Sequence, residues 1–504
     1  MSARGFAAAS CLLIASLAVY LPSVRSGFVN WDDPQYVTGN GAELSAPLLS
    51  EFAAPSHGYY HPLTILSYKI DYRLGGTNPA VYHLTNTLLH TVNTLLLCAL
   101  CAELGAAPFA AFCAALVFCV HPLLSEPVLW VSGRKDLLLC FFGLLSLFSY
   151  LRLWSRPRAR IILASVFAAL AMLAKPTGAA IPLMLLAVDY YKGREISRRV
   201  LAEKLPALAF GGAVLLASLS TGGPLIKIEP YKYGAGLHAL SGLNNLWFYY
   251  RHIAVPAALS PDYPYGFVLG AKNLFLLPAA AAGISAAIVF SGRAGVLGGG
   301  IFLLGLLPVI TRPEMAPADR YVYFPACGLA LWLALLLSRA PDRSRRLAYA
   351  LALCCAAAFA PQAAMRRIIW RGGESLWKDA CLKYPCAEHT CVNYVDALAR
   401  ASRQREAIAV YENILSRGCA LSGKAKNNLA YNAALAMGLD GRLDEAEAAL
   451  KTISPDFEEY HQALNNFGMI ELGRGNKAAA RRYFESALKL KPDYSVARGN
   501  LKKV

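Results

Sequence analysis

Two adjacent carboxylates, Asp32 and Asp33, lie just past the first apolar run, within Phe28-Val-Asn-Trp-Asp-Asp-Pro-Gln-Tyr36. Trp31 and Tyr36 flank them, and such rings favour a membrane–water interface. Pro34 stops a helix from running straight through. Paired acids at a membrane lip repel each other, so they need a cation, a hydrogen-bond network or a chemical task. An aspartate placed there suits a general base, which takes the proton of a hydroxyl nucleophile. The plain alternative is a solvated loop that caps a helix, and on this stretch alone the two readings stand level.

Four further clusters have the same character. His57 and His61 sit in His57-Gly-Tyr-Tyr-His-Pro-Leu-Thr64. His121, Glu126, Trp130, Arg134, Lys135 and Asp136 share one stretch. Lys175 interrupts an apolar hairpin at Ala174-Lys-Pro-Thr177. Arg312-Pro-Glu314 is followed by Asp319-Arg320-Tyr321. Each has an ordinary reading: Lys175 and Arg320 can snorkel, His121 can cap a helix, and Glu126 can pair with Arg134. Taken together they put acids, cations and aromatics at membrane depth, where ionisable groups point to function. An acid serves a hydroxyl acceptor, and lysine and arginine serve a leaving phosphate. That combination suits sugar transfer from a polyprenyl-phosphate donor.

These residues must be held by membrane helices. The 504-residue chain is 56% hydrophobic and only 16% charged, and its mean hydropathy is +0.40. A soluble chain would carry nearer a quarter charged residues. Long apolar runs recur to about residue 364 and then cease, so a polytopic membrane bundle precedes a polar domain. The runs fall near 6–24, 84–103, 106–120, 136–153, 160–174, 176–191, 204–221, 272–290, 294–310, 321–338 and 347–364, about eleven spans. The first is read as a retained helix, since no small-residue cleavage site is evident. Residues 240–259 contain Asn244, Asn245, Arg251 and His252, and are read as a re-entrant or surface-lying helix on the outer face.

The net charge of +17 does not signal nucleic-acid binding, because the basic residues concentrate in short loops. Arg152, Arg156, Arg158 and Arg160 form one such loop; Lys192, Arg194, Arg198, Arg199 and Lys204 form another. With Arg293 and the Arg339, Arg343, Arg345, Arg346 cluster, all fall on one side, as the positive-inside rule requires. An odd number of spans then places the C-terminal domain outside with the aspartate pair. Of the thirteen cysteines, nine lie in apolar runs, while Cys381, Cys386, Cys391 and Cys419 cluster in that domain. An even number there predicts disulfides if the domain is extracytoplasmic.

The C-terminal region is repetitive. Gly475, Ala480, Phe484, Ala487 and Pro492, with Phe467-Gly468 upstream, follow the spacing of a 34-residue tetratricopeptide (TPR) unit. Ala446, Gly441 and Leu450 are in matching phase, and Ala407 with Tyr411 marks an earlier, longer unit. One repeat cannot bury its own apolar face, so about three stack, and residues 493–502 cap them. The predicted fold is all-α: a membrane domain over 1–365, then an α-solenoid over 366–504.

The chain resembles the GT-C superfamily of membrane glycosyltransferases that carry TPR repeats, the group of the eukaryotic transmembrane and TPR-repeat O-mannosyltransferases and their bacterial relatives. The resemblance is carried by Phe28 through Val37, Tyr60-His-Pro-Leu-Thr-Ile-Leu-Ser67, His83-Leu-Thr-Asn-Thr-Leu-Leu-His90, His121 through Asp136, Leu173-Ala-Lys-Pro176 and Asp319-Arg-Tyr-Val-Tyr-Phe-Pro325. It implies inverting transfer of a monosaccharide from a polyprenyl- or dolichyl-phosphate to a hydroxyl acceptor, a protein Ser or Thr. Asp32 or Asp33 would be the base, and Glu126 a second acid that orients the acceptor or, as the lesser alternative, a metal. Lys175, Arg134 and Arg320 would hold the donor phosphate, and His57, His61, His121 and Tyr321 would line the substrate. No cofactor is required, and a divalent ion stays open as an alternative that two acids do not by themselves establish. The partners would be the lipid-linked donor, membrane lipid and a protein acceptor met by the repeats. The membrane would be a bacterial inner membrane, with the endoplasmic reticulum as alternative. A membrane-anchored repeat scaffold explains the C-terminus but not the outer acids. A transporter requires a symmetry between halves that the chain lacks.

Overall fold

The structure is a computed structural model that describes residues 3–53, 60–220, 235–263, 275–311, 317–387 and 389–504. All regular structure among the described residues is helical. The chain divides into two compact units, one reaching Gly372 and the other running from Gly373 to Val504 together with Asp262 and Tyr263. The division lies slightly beyond the expected 365/366 boundary because the last membrane helix continues to Ile369.

The first unit contains α1 (Ala3–Tyr20), α2 (Pro62–Gly75), α3 (Pro79–Glu103), α4 (Pro108–Val120), α5 (Arg134–Arg152), α6 (Pro157–Ala174) and α7 (Ile181–Tyr191). It continues with α8 (Leu205–Ser220), α9 (Ala235–Ala254), α10 (Leu276–Val289), α11 (Arg293–Ile310), α12 (Tyr323–Arg339) and α13 (Asp342–Ile369). Proline opens α2, α3, α4 and α6, where its missing N–H has no intrahelical partner to lose. Among the described residues, six segments are long and apolar enough to cross a bilayer: Gly5–Arg25, Pro79–Glu103, Pro157–Ala174, Arg293–Ile310, Asp319–Arg339 and Asp342–Ile369. A seventh is α4 with the short helices of Pro122–Leu129, bent by 61° at His121.

The chain is therefore a multi-pass membrane protein. Each of the eleven predicted runs holds a helix. The remaining four, α5, α7, α8 and α10, are more charged or shorter and complete the bundle by packing on their neighbours. α9 is not one of the candidate spans; it packs against α10 and α11 and buries Asn244, Asn245 and His252.

α3 is the hub of this unit. His90 Nε2 donates to the Cys119 carbonyl at 2.9 Å, so Nδ1 is left to accept from the Tyr323 hydroxyl at 2.7 Å. Asn93 donates to the Leu137 carbonyl at 3.0 Å. These bonds join α3 to α4, α5 and α12, and they satisfy polar groups that apolar surroundings would otherwise penalise.

The second unit holds α14 (Gly373–Lys383), α15 (Thr390–Arg400), α16 (Gln404–Ser416), α17 (Gly423–Leu439), α18 (Leu443–Lys451), α19 (Tyr460–Gly473), α20 (Lys477–Leu490) and α21 (Ser495–Leu501). Successive helices pack in pairs, and Ala407, Ala446, Ala480, Phe484 and Ala487 are all fully buried, as the repeat spacing requires. Two disulfides, Cys381–Cys391 and Cys386–Cys419, fasten the first helices of this unit. At Gly468 a side chain would meet the Phe484 ring at 2.5 Å, so α19 and α20 touch there through bare backbone.

Gly468→Val is expected to overpack this crossing at a cost of about 1–3 kcal/mol. Limited proteolysis on heating should cut the repeat unit of the variant at lower temperature than that of the wild type. Unchanged cleavage would show that α19 and α20 do not meet at this residue.

Candidate active site

Proline placement builds the site. Lys175 precedes Pro176 and is driven to an extended backbone (φ −155°, ψ 126°), which ends α6 and frees its side chain. His121 precedes Pro122 and breaks α4 in the same way. The following segment doubles back, with a short helix at Glu126–Leu129, before α5 begins at Arg134. Gly133 is needed at this return, since a Cβ there would lie 2.6 Å from Pro127 Cα.

The two aspartates have opposite surroundings. Asp33 is buried. Its Oδ2 accepts from the Val29 N–H at 2.9 Å, and its Oδ1 accepts from the Ser132 N–H at 3.1 Å and hydroxyl at 2.5 Å. Burial raises its pKa from 3.8 to about 6, while the Ser132 and Val29 bonds hold it down and the charge of Asp32 adds slightly to the rise. Asp32 stays partly open, 3.4 Å from Lys135 Nζ.

Three acid–cation pairs meet here. Besides Asp32–Lys135, Glu126 Oε1 accepts from Arg320 at 2.8 Å, and Asp136 Oδ1 accepts from Lys175 at 2.5 Å. Aromatic faces fill the space between them. Trp31 stacks on Trp130 with centroids 4.7 Å apart. The Arg320 guanidinium lies 5.0 Å from the Trp31 ring and 4.9 Å from the Tyr321 ring. Lys135 stands 5.2 Å from the Tyr36 ring and 5.4 Å from the Trp130 ring, and Lys175 stands 5.2 Å from Tyr321. The side chains of Asp32, Lys135, Lys175 and Arg320 remain 32, 17, 15 and 15% exposed, whereas Glu126 is sealed. The cluster thus offers one reachable carboxylate beside three cations that just reach its surface.

Arg134 stands apart from this arrangement. It is fully buried and donates to Asn86 Oδ1, to Asp71 Oδ2 at 2.7 Å, to the Tyr82 carbonyl at 3.0 Å and to Ser67 Oγ at 3.2 Å. Its face covers Tyr68 at 5.2 Å. These bonds clamp α2, α3 and α5 together and turn the guanidinium, expected at the donor phosphate, onto protein partners. Glu126 accordingly pairs with Arg320 and not with Arg134. His121 is likewise a tie: Nδ1 accepts from the Leu123 N–H at 3.2 Å, and Nε2 donates to the Ile253 carbonyl at 2.9 Å. His61 is buried with its ring 5.6 Å from that of Tyr36. Tyr321 is in the cluster. His57, Arg312 and Glu314 lie outside the described residues. Lys135 carried no expected role, although it stood in the quoted motif between Arg134 and Asp136. Among the described residues, no group of three His, Cys, Asp or Glu side chains could hold a metal ion.

No protein-family model matches the chain. It is 32% identical over 215 residues to the protein O-mannosyl-transferase Tmtc1 of Drosophila melanogaster, covering 40% of this chain and 25% of that protein. Tmtc2 of the same fly is 37% identical over 158 residues, 28% of this chain and 17% of that protein. The protein O-mannosyl-transferase F38B6.6 of Caenorhabditis elegans is 24% identical over 358 residues, 65% of this chain and 51% of that protein. The chain resembles protein O-mannosyl-transferases. It spans about half or less of the length of these curated relatives. Among solved structures, ArnT from Cupriavidus metallidurans in the apo state aligns with a TM-score of 0.43 at 15% identity, covering 90% of this chain and 80% of ArnT. ArnT bound to undecaprenyl phosphate aligns with a TM-score of 0.38 at 16% identity, covering 90 and 82%.

The raised pKa of Asp33 makes a prediction about pH. Between the ordinary carboxylate range and about 6, folded Asp33 keeps a proton that the unfolded chain has lost. Its contribution to stability is therefore full below pH about 4 and disappears as pH rises through about 6, a change of about 2–3 kcal/mol. Thermal melts across this window should show wild type losing stability relative to Asp33→Asn. Parallel pH profiles for the two proteins would mean that Asp33 titrates as an ordinary carboxylate.

Proposed function

We propose that the chain is an inverting glycosyltransferase that moves one sugar from a polyprenyl- or dolichyl-phosphate donor to a hydroxyl acceptor. The observation that carries this reading is the open Asp32 carboxylate beside Lys135, Lys175 and Arg320. Of the two aspartates we assign Asp32 as the base, because Asp33 spends both oxygens on Val29 and Ser132. In the proposed step Asp32 takes the proton of the acceptor hydroxyl as its oxygen bonds to the anomeric carbon. The bond from that carbon to the phosphate oxygen breaks, and the lipid phosphate leaves with the electron pair. A single displacement inverts the anomeric centre. Lys175 and Arg320 meet the developing phosphate charge, which is stronger help in a water-poor site than in bulk solvent. Lys135 orients Asp32, Glu126 fixes Arg320, and Arg134 holds the helices that present all of them.

The names of the relatives support mannose as the sugar and a protein hydroxyl as acceptor. The repeat unit is the part we assign to capture of the acceptor protein. We place the basic loops in the cytoplasm, following the charge bias of membrane loops. We place the repeat unit in an oxidising extracytoplasmic compartment, which the pairing of its four cysteines supports. A bacterial inner membrane is the favoured location.

Asp32→Asn should lower transfer of radiolabelled mannose from a polyprenyl phosphate by about 10²–10⁴-fold while the protein still folds. A variant with wild-type transfer would remove Asp32 from the mechanism. For the orientation, intact cells treated with reductant and an impermeant maleimide should be labelled at Cys386 and Cys419. Labelling only after lysis would place the repeat unit in the cytoplasm.

A further inference from the structure

The far ends of α5 and α6 hold a second ionic cluster that the proposed reaction does not use. Tyr150 closes α5, Arg160 opens α6, Asp189 lies in the last turns of α7, and Glu203 and Lys204 precede α8. Lys204 donates to Asp189 Oδ2 and to the Tyr150 hydroxyl, both at 2.6 Å, and the Tyr150 hydroxyl donates to Asp189 Oδ1 at 2.8 Å. Arg194 donates to Glu203 Oε1 at 2.5 Å, and Arg160 donates to Glu203 Oε2 at 3.1 Å. Three cations thus face two carboxylates. Asp189, Lys204 and Arg160 are buried, so the excess positive charge is weakly screened.

Beside this cluster runs an apolar groove of about 350 Å³ between α7 and the chain that leads into α8. Leu183, Leu186, Leu205 and Leu208 line it, with Lys204 at the cluster side and Arg198 on its wall. Leu183, Leu205 and Leu208 are exposed, so the groove opens outward, and Arg198 is exposed too. Lys135 and Tyr150 are fifteen residues apart on α5, and Arg160 and Lys175 are fifteen apart along α6, so the ionic cluster at the charged end of this groove lies about 22 Å along the helices from the candidate active site. That separation spans most of a hydrocarbon core of about 30 Å. The charged end of the groove therefore belongs to the other leaflet.

We infer that this groove is a binding site for an anionic glycerophospholipid. The leucines receive an acyl chain, and the phosphate sits at the Arg198 and Lys204 end. A zwitterionic lipid brings its own ammonium group to the same positive edge and is disfavoured. A polyprenyl phosphate engaged at the active site would have its phosphate in the opposite leaflet. The inference is independent of the proposed reaction, because no residue is shared.

Native mass spectrometry of the full chain tests it. The detergent-solubilised protein is offered phosphatidylglycerol and phosphatidylcholine with identical chains. Wild type should retain phosphatidylglycerol about fivefold more, the effect of one arginine near an anionic headgroup, and Arg198→Gln should bring the two lipids near parity. Leu205→Trp, which fills the groove from its exposed side, should remove the retained phosphatidylglycerol. Parity in the wild type, or a preference that survives both variants, would reduce the groove to ordinary annular lipid contact. Displacement of phosphatidylglycerol by undecaprenyl phosphate in wild type but not in Leu205→Trp would reassign the groove to the donor lipid.

Discussion

The cluster depends on a buried carboxylate whose two oxygens are both hydrogen-bonded. Asp33 joins the loop after α1 to the segment before α5 through two hydrogen bonds from Ser132, 99 positions away in sequence, and a third from Val29 ties the loop to itself. Consecutive side chains in a tight turn point in different directions. Once Asp33 is drawn into the protein, Asp32 is turned out beside Lys135, and Trp31 is laid on Trp130. Buried charge is costly, which is why the Asp33 pKa rises. The bonds to Val29 and Ser132 offset part of that cost, and the remainder is the penalty of holding Asp32 in a fixed direction.

The first turn of α5 repeats the same division among three residues. On a helix, successive side chains are about 100° apart. Arg134 therefore faces inward to Asn86 and Asp71, Lys135 faces Asp32, and Asp136 faces Lys175. One residue clamps the scaffold while its two neighbours each reach a different charged partner. Replacing the inward arginine would leave Asp71 buried without its cation, which is more costly than losing an exposed pair.

Much of this was legible in the sequence. Apolar runs marked all the membrane helices, because hydrophobicity is a local property of ten to twenty residues. The repeat unit was legible for a related reason: Gly441 and Ala446 recur 34 residues on as Gly475 and Ala480, a spacing set by one helix pair. The roles of charged residues were less so. Arg134 looked like a phosphate ligand and His121 like a substrate contact, because each stands in a polar motif. The partners that hold them here, Asp71, Asn86 and Ile253, are supplied by distant helices that no local pattern reveals. The difference between Asp32 and Asp33 had the same obstacle, since the burial of Asp33 rests on the distant Ser132.

α5 and α6 bear charge at both ends, and that placement restricts how they can move. A helix with one polar end can slide along the bilayer normal or tilt to match its thickness. Here Lys135, Asp136 and Lys175 are paired at one end, while Tyr150 and Arg160 are held by Lys204 and Glu203 at the other. Sliding by one turn, about 5.4 Å, would pull at least one of these groups out of its hydrogen bonds and into hydrocarbon. The two clusters therefore fix each other's depth. Lys135 and Lys175 are kept in register with Asp32 and Asp136 by the ion pairs at the other ends of the same two helices.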